Sequence, residues 1–283
     1  MTQITASLVK ELREKSGAGM MDCKSALIEN KGDIDQSIDW LRTKGITKAA
    51  KKSERVASEG LVGSFVNNNK ATIIELNSET DFVARNEEFQ SLLKGLLEIS
   101  INEENILKLP YHDTGRTVEE EINEKIATIG ENIRLRRIQN ISTKDGLIFS
   151  YTHNSVADSL GKIGVLLAIE TSLNMDNVSE LGKNICMHIA ASNPIAISSD
   201  EISEEVIEKE KQIAIDQARE AKKPENIIEK MVEGRIRKFT EENALLSQVF
   251  VIDNETKISQ LLENKSKELN SPIKVTKFIR MEL

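Results

Sequence analysis

The side chains able to do covalent or metal chemistry are few and scattered. The 283 residues include three histidines, His112, His153 and His188, and two cysteines, Cys23 and Cys186. No two histidines have the spacing of a metal pair, and neither cysteine stands near another ligand type in the patterns that zinc sites use. Cys186 and His188 would lie nearly back to back on a helix, which is wrong for a nucleophile and its base. Cys23 falls on the apolar face of a short helix and reads as a core residue. Gly17-Ala18-Gly19 has no strand before it and no third glycine, so it is not a dinucleotide loop. Leu160-Gly161-Lys162-Ile163 imitates the end of a phosphate-binding loop. Val156, however, takes the place of the earlier glycine, and Ile163 that of the hydroxyl residue which would meet magnesium. Acids are abundant, but no pair stands out as acid and base. The expectation is a protein that is not an enzyme and has no catalytic residue, bound metal or cofactor.

The charge balance narrows the partners. The 46 acidic residues outnumber 38 basic ones, leaving a formal charge of −8 and a pI near 5.2. A negative field repels phosphate backbones, so direct nucleic-acid binding is not expected. The basic run Lys48 to Lys52 is short and reads as a solvated helix or linker. Two distant cysteines imply free thiols in a reducing compartment. The first ten residues lack a targeting pattern, and no apolar run reaches the roughly 18 to 20 residues of a membrane span. A cytoplasmic protein is expected.

The elements that must carry the rest follow from periodicity. Ile4, Leu8, Val9 and Leu12 share a helical face behind a Thr5 cap. A second helix holds Met20, Met21, Cys23, Ala26, Leu27 and Ile28, and a third, capped by Asp33, holds Ile34, Ile38, Trp40 and Leu41. From Gly60 the period becomes extended. Leu61 to Val66 and Ala71 to Leu76 flank Asn67-Asn68-Asn69-Lys70, a hairpin signal. Helices follow at Asn86 to Ser100 and Val118 to Ile129, then strands at Asn132 to Ile141, Leu147 to His153 and Ile163 to Glu170. A strand, polar loop and helix recur at Ile169 to Ser192, and Ile273 to Met281 echoes Asn132 to Ile138, which reads as an internal duplication. Between them, Glu201 to Ala221 carries Ile207, Lys211, Ala214, Ala218 and Ala221 at helical spacing. After Lys222-Lys223, Pro224 opens a second helix with Ile228, Val232 and Phe239. The two make a charged helical hairpin, expected to project as an arm. The fold class is α+β with antiparallel sheets. The expected divisions are a three-helix module at 1–45, a linker at 46–59, one core subdomain at 60–172, and a second at 173–283 with the hairpin at about 200–240.

Two segments stand out beyond this pattern, Gly17 to Leu27 (GAGMMDCKSAL) and Thr80 to Asn86 (TDFVARN). With Ile129 to Ile133, Tyr151 to His153, Gly161 to Leu166, Met187 to Ser192, Glu229 to Gly234 and Gln260-Leu261-Leu262, they resemble the bacterial elongation factor Ts family, the nucleotide exchange factors of the GTPase elongation factor Tu. The resemblance implies an N-terminal module like a ubiquitin-associated domain, then a two-subdomain core with an inserted helical hairpin. It implies that Asp81 and Phe82, flanked by Thr80 and Val83, reach the GTPase near its magnesium and phosphates. It likewise implies that Leu12, Met20 and Met21 contact the GTPase domain, and that His153 contacts a later domain of the partner. Departures are Arg85 where many relatives have Lys, a longer loop at Asn154 to Leu160, no proline in Gln248-Val249-Phe250, and no helical tail after Leu283.

Read without the resemblance, several of these residues keep two roles. Phe82 is core or exposed; its polar flanks Ser78 to Asp81 favour a loop-to-helix junction. Asp81 is a helix cap, a contact, or both. Adjacent Met20 and Met21 cannot share a face, so one is expected inward and one outward. Leu12 is core or contact, and His153 is structural or contact. The core or the hairpin could also support a homodimer. Two other classes stay open: an adaptor whose small bundle binds ubiquitin-like or other proteins, and a thiol enzyme using Cys23.

Overall fold

Short polar residues ahead of apolar runs start most of the helices. The computed structural model describes residues 4–16, 18–221 and 224–283, and within them every side chain but those of residues 46–48 and 225–226. Gly17 of the first glycine turn and the pair Lys222-Lys223 lie outside the described residues. Thr5 Oγ1 accepts from Leu8 N at the head of α1 (Ala6–Ser16). After α2 (Met20–Glu29), the Asp33 carboxylate accepts from Gln36 N and starts α3 (Ile34–Lys52). Asn86 caps α5 (Glu87–Ser100), which follows a single-turn helix, α4 (Asp81–Ala84). Thr117 and Glu120 form a reciprocal capping box on α6 (Val118–Ile129), which ends at Gly130 with φ +95°. These bonds supply partners to the backbone N–H groups that a first helical turn leaves open.

The expected hairpin joins β1 (Glu59–Asn67) to β2 (Lys70–Ser78), with Asn68 at φ +54°. The remaining strands are β3 (Arg134–Ser142), β4 (Gly146–His153), β5 (Leu160–Gly161), β6 (Ile163–Glu170) and β7 (Lys274–Glu282). Among the described residues they form two antiparallel sheets, ordered β3-β2-β1-β5 and β4-β6-β7.

Alternation along the strands sends side chains to two cores. Leu61, Ile74 and Leu76 face outward and pack under α5 and α6. Val165, Leu167 and Ile169 face α7 (Met175–Ser192) and α10 (Ile258–Glu268) on the other side. Between the sheets lie Val62, Ile73, Ile148, Leu166, Ile279 and Met281, so the core is layered helix, sheet, sheet, helix. Gly164 lets the sheets close up: a Cβ there would come within 2.7 Å of Val62 and 2.8 Å of Ile73. Glu75 is buried at the margin of this interlayer. It is held by Arg136 (3.0 Å) and Arg137 (2.5 Å), and Arg137 also donates to the carbonyl of Glu282 at the end of β7.

The sheets correct the expected grouping of residues 60–172. β4 pairs with β6, and β6 with β7, as in Leu166 opposite Ile279, and not with β1 to β3. The order β1-β2-β3 is repeated as β4-β6-β7, each with a register shift at matching places, Glu75/Leu76 and Ala168/Ile169. This repeat makes Leu76 the counterpart of Ile169. The third helix also runs past residue 45 to Lys52. Ala49 is buried in the core under α6, Arg42 pairs with Glu120, and Lys52 Nζ reaches the carbonyl of Ile126. Residues 46–52 are therefore docked helix.

The arm consists of α8 (Glu204–Glu220) and α9 (Glu225–Asn243). Of the expected stripe, Ala214 and Ala218 are buried, as is Ile228 of α9, while Arg235 bridges back to Glu210 and Gln217. Much of its surface is charged and exposed.

Candidate partner-binding site

Strand β2 ends at Ser78, and within four residues the chain has turned into α4. A helix of one turn cannot sustain itself, because nucleation fixes several dihedrals for one hydrogen bond. Its surroundings supply the stability. Val83 and Ala84 are buried in the core with Leu61, Leu76 and Phe89. At the other end, both the N–H and the hydroxyl of Thr80 donate to the Glu131 carboxylate, at 3.0 and 2.7 Å. Glu79, the neighbour of Thr80, accepts from the N–H of Asn132, the neighbour of Glu131, at 2.6 Å.

This anchoring turns the other half of α4 outward. Asp81 is exposed, and Phe82 is 80% exposed. Thr80 occupies the cap position with extended backbone, so Asp81 is the first helical residue and not the cap. Its carboxylate still suits the positive end of a helix. Val83, unlike Asp81 and Phe82, points into the core and is 8% exposed, so it supports the turn from inside.

The N-terminal module corrects the expected split of the two methionines. Met20 and Met21 are both exposed, at 59% and 72%. The inward face of α2 is supplied by Cys23, Ala26 and Leu27, which leaves no inward role for Met20. Leu12 is fully buried against that face, in the core of the module. The two methionines rim a groove of about 600 Å³ with Ile4, Val9, Arg13 and Lys24. Cys23 is enclosed, its thiol 3.6 Å from the carbonyl of Ala18.

His153 ends β4 on the second sheet, exposed, with Nδ1 3.1 Å from the Tyr151 hydroxyl. The long loop after it begins at Asn154 with φ +51° and returns through β5, which pairs with β1. Thr80, Asp81 and Phe82 thus share one turn, the methionines sit on a separate module, and His153 stands on the other sheet.

Groups with shifted acidity lie elsewhere and have structural causes. Burial, with Glu121 and Glu98 nearby, pushes the Tyr111 phenol up to about 12. Burial raises the Cys186 thiol and the Glu124 carboxyl. Backbone donation at Thr117 and the Arg42 bridge lower Glu120. Among the described residues no three His, Cys, Asp or Glu side chains are placed to hold a metal, and no helix is long and apolar enough to cross a membrane.

A family model described as Elongation factor TS matches residues 79–283, beginning at the clasp that carries α4. The chain belongs to the elongation factor Ts family. Relatives match it end to end, including the N-terminal module. Elongation factor Ts of Allorhizobium ampelinum is 50% identical over 100% of this chain and 93% of its own length. That of Rhodospirillum centenum is 48% identical over 100% and 94%. Membership of the elongation factor Ts family makes the protein a translation elongation factor, acting in protein biosynthesis. Glu79, Glu131 and Asn132 were not among the sequence-derived site residues. Gly130 to Asn132 lay inside a family-like segment, but nothing local tied it to Thr80.

Proposed function

We propose that this protein is the guanine-nucleotide exchange factor of the GTPase elongation factor Tu, binding its GDP-bound form and accelerating GDP release so that GTP can reload. The observation that carries the reading is Phe82: a large apolar ring held in solvent on a short helix whose other half is locked into the core. Leaving it exposed costs free energy that a partner pocket would recover.

The work requires no acid or base. A GTPase holds GDP through its phosphates and a Mg²⁺ ion, the largest local charge in its site. In the proposed complex Phe82 wedges beside that site with Asp81, displacing groups that support the ion and the β-phosphate. Met20 and Met21 grip the GTPase domain with an adaptable sulfur-rich surface, and His153 meets a later domain. The partner's nucleotide-free form is bound more tightly than its GDP form, and reciprocity makes GDP binding weaker by the same factor. A thousandfold coupling needs about 4 kcal/mol. A buried aromatic hot spot supplies about 2 kcal/mol or more, leaving a similar amount to the methionines and their neighbours. Two buried free thiols suit work in the reducing cytoplasm.

Release of labelled GDP from purified elongation factor Tu, with and without this protein, tests the proposal. Stimulated release is expected, together with tighter binding to the empty GTPase in calorimetry. Equal affinity for the empty and GDP-bound forms would overturn it.

A further inference from the structure

We infer that Glu131 is a positioning residue for nucleotide exchange: it sets the orientation of Phe82 by holding the first turn of α4 from outside. The inference rests on the exchange-factor reading above and deepens it.

Three observations carry it. First, the carboxylate takes two donors from one residue, the N–H and the hydroxyl of Thr80. Thr80 is the cap of α4, two residues before Phe82, and its side chain gives no capping bond to the helix. With no capping bond of its own, the first turn is held from outside by Glu131, beside the bond from Ser78 Oγ to the Thr80 carbonyl and the burial of Val83 and Ala84. Second, the bond is one half of a reciprocal clasp. Glu131 holds the backbone of Thr80 while Glu79 holds the backbone of Asn132, so the two dipeptides cannot slide past each other without breaking both. Third, the clasp is tied to the N-terminal module. The Asn132 side-chain amide donates to the carbonyls of Ser53 (3.4 Å) and Arg55 (2.8 Å), just beyond α3, and Arg55 lies 3.6 Å from Glu79. The segment leading from the methionine-bearing module and the helix bearing Phe82 are thus fastened to the same two neighbouring residues, Glu131 and Asn132. Preorganisation of this kind lowers the ordering cost when the exposed ring enters a pocket.

Glu131→Ala removes the acceptor of both Thr80 donors. Free E131A is expected to show at least fivefold faster amide hydrogen exchange at residues 80–84, with exchange in α5 and α7 unchanged. Stimulated GDP release at saturating factor should slow about fivefold. In a Phe82→Ala background the same substitution should have no further effect on release, because it acts through the ring. A protein that is merely less stable would instead lose release by the same factor in both backgrounds and exchange faster throughout. Unchanged exchange at 80–84, or an equal loss in both backgrounds, overturns the inference. Absence of stimulated release by the unsubstituted protein would fault the exchange reading itself, while the hydrogen-exchange result still decides whether Glu131 orders α4.

Discussion

His188 and Gln248, sixty residues apart in sequence, share a buried hydrogen bond of 2.9 Å at the root of the helical arm. The N–H of Val251 donates to the other ring nitrogen, Nδ1, so the proton resides on Nε2 and is given to the Gln248 oxygen. The Gln248 amide in turn donates to the carbonyls of Ser192, at the end of α7, and Glu242, near the end of α9. A neutral imidazole thereby fastens α7 to the segment from which the arm returns.

Burial disfavours the charged ring and lowers the pKa of His188 from the ordinary histidine value, partly opposed by the Gln248 bond. The unfolded chain therefore takes up the proton first as pH falls. The stability contributed by the neutral ring is complete above about pH 6.5 and is lost as pH drops below that toward the folded-state value. Melting temperature should be flat from pH 8 to 7 and fall from about pH 6.5 to 5. His188→Gln should melt lower at pH 7.5 yet show a shallower slope below pH 6.5. Parallel slopes in the two proteins would remove His188 as the cause.

Phe82 and Val83 are neighbours with opposite assignments. Phe82→Ala should slow stimulated GDP release at least tenfold, about 1.4 kcal/mol or more, and leave the melting temperature nearly unchanged. Val83→Ala removes buried methyl groups and should cost about 2 kcal/mol of stability. Urea denaturation read alongside GDP release separates the two. A large loss of stability in Phe82→Ala would mark the ring as structural.

In the N-terminal module the same contrast separates Met20 and Met21 from Leu12. The double substitution of both methionines to serine should weaken partner affinity about tenfold, roughly 1.4 kcal/mol, with little change in the helical signal. Leu12→Ala should destabilise by about 2 to 5 kcal/mol and melt the module, whose core is small. Circular dichroism and calorimetry against the GTPase report the two effects; intact affinity in the methionine variant would exclude that surface from the complex.

Gly182 on α7 lies against the ring of Phe149 on β4, and an added Cβ would collide with that ring. Gly182→Ala should destabilise the second sheet by about 1 to 3 kcal/mol through overpacking. Adding Phe149→Leu should restore part of the loss, and denaturant midpoints of the single and double variants measure it. Simple additivity of the two substitutions would argue against the contact as the cause.

What the amino-acid order determined by itself was whatever depends on neighbours a few residues apart. The Thr5, Asp33 and Asn86 caps each reach a backbone N–H two or three residues on, and the turn at Asn68 needs one residue that tolerates positive φ. These are local bonds, so helix starts and the β1–β2 hairpin were legible, as was the polar junction at Ser78 to Asp81, though not whether Phe82 beside it would be core or exposed. Tertiary structure decided the rest. Periodicity states that a strand has an apolar face but not which sheet will cover it, and so β4 and β6 passed to β7. Two adjacent methionines both turned outward because Cys23, Ala26 and Leu27 already filled the inner face of α2. The clasp between Thr80 and Glu131 spans 51 residues, and only the antiparallel pairing of β2 with β3, which sets Asn77 opposite Arg134, brings its ends together.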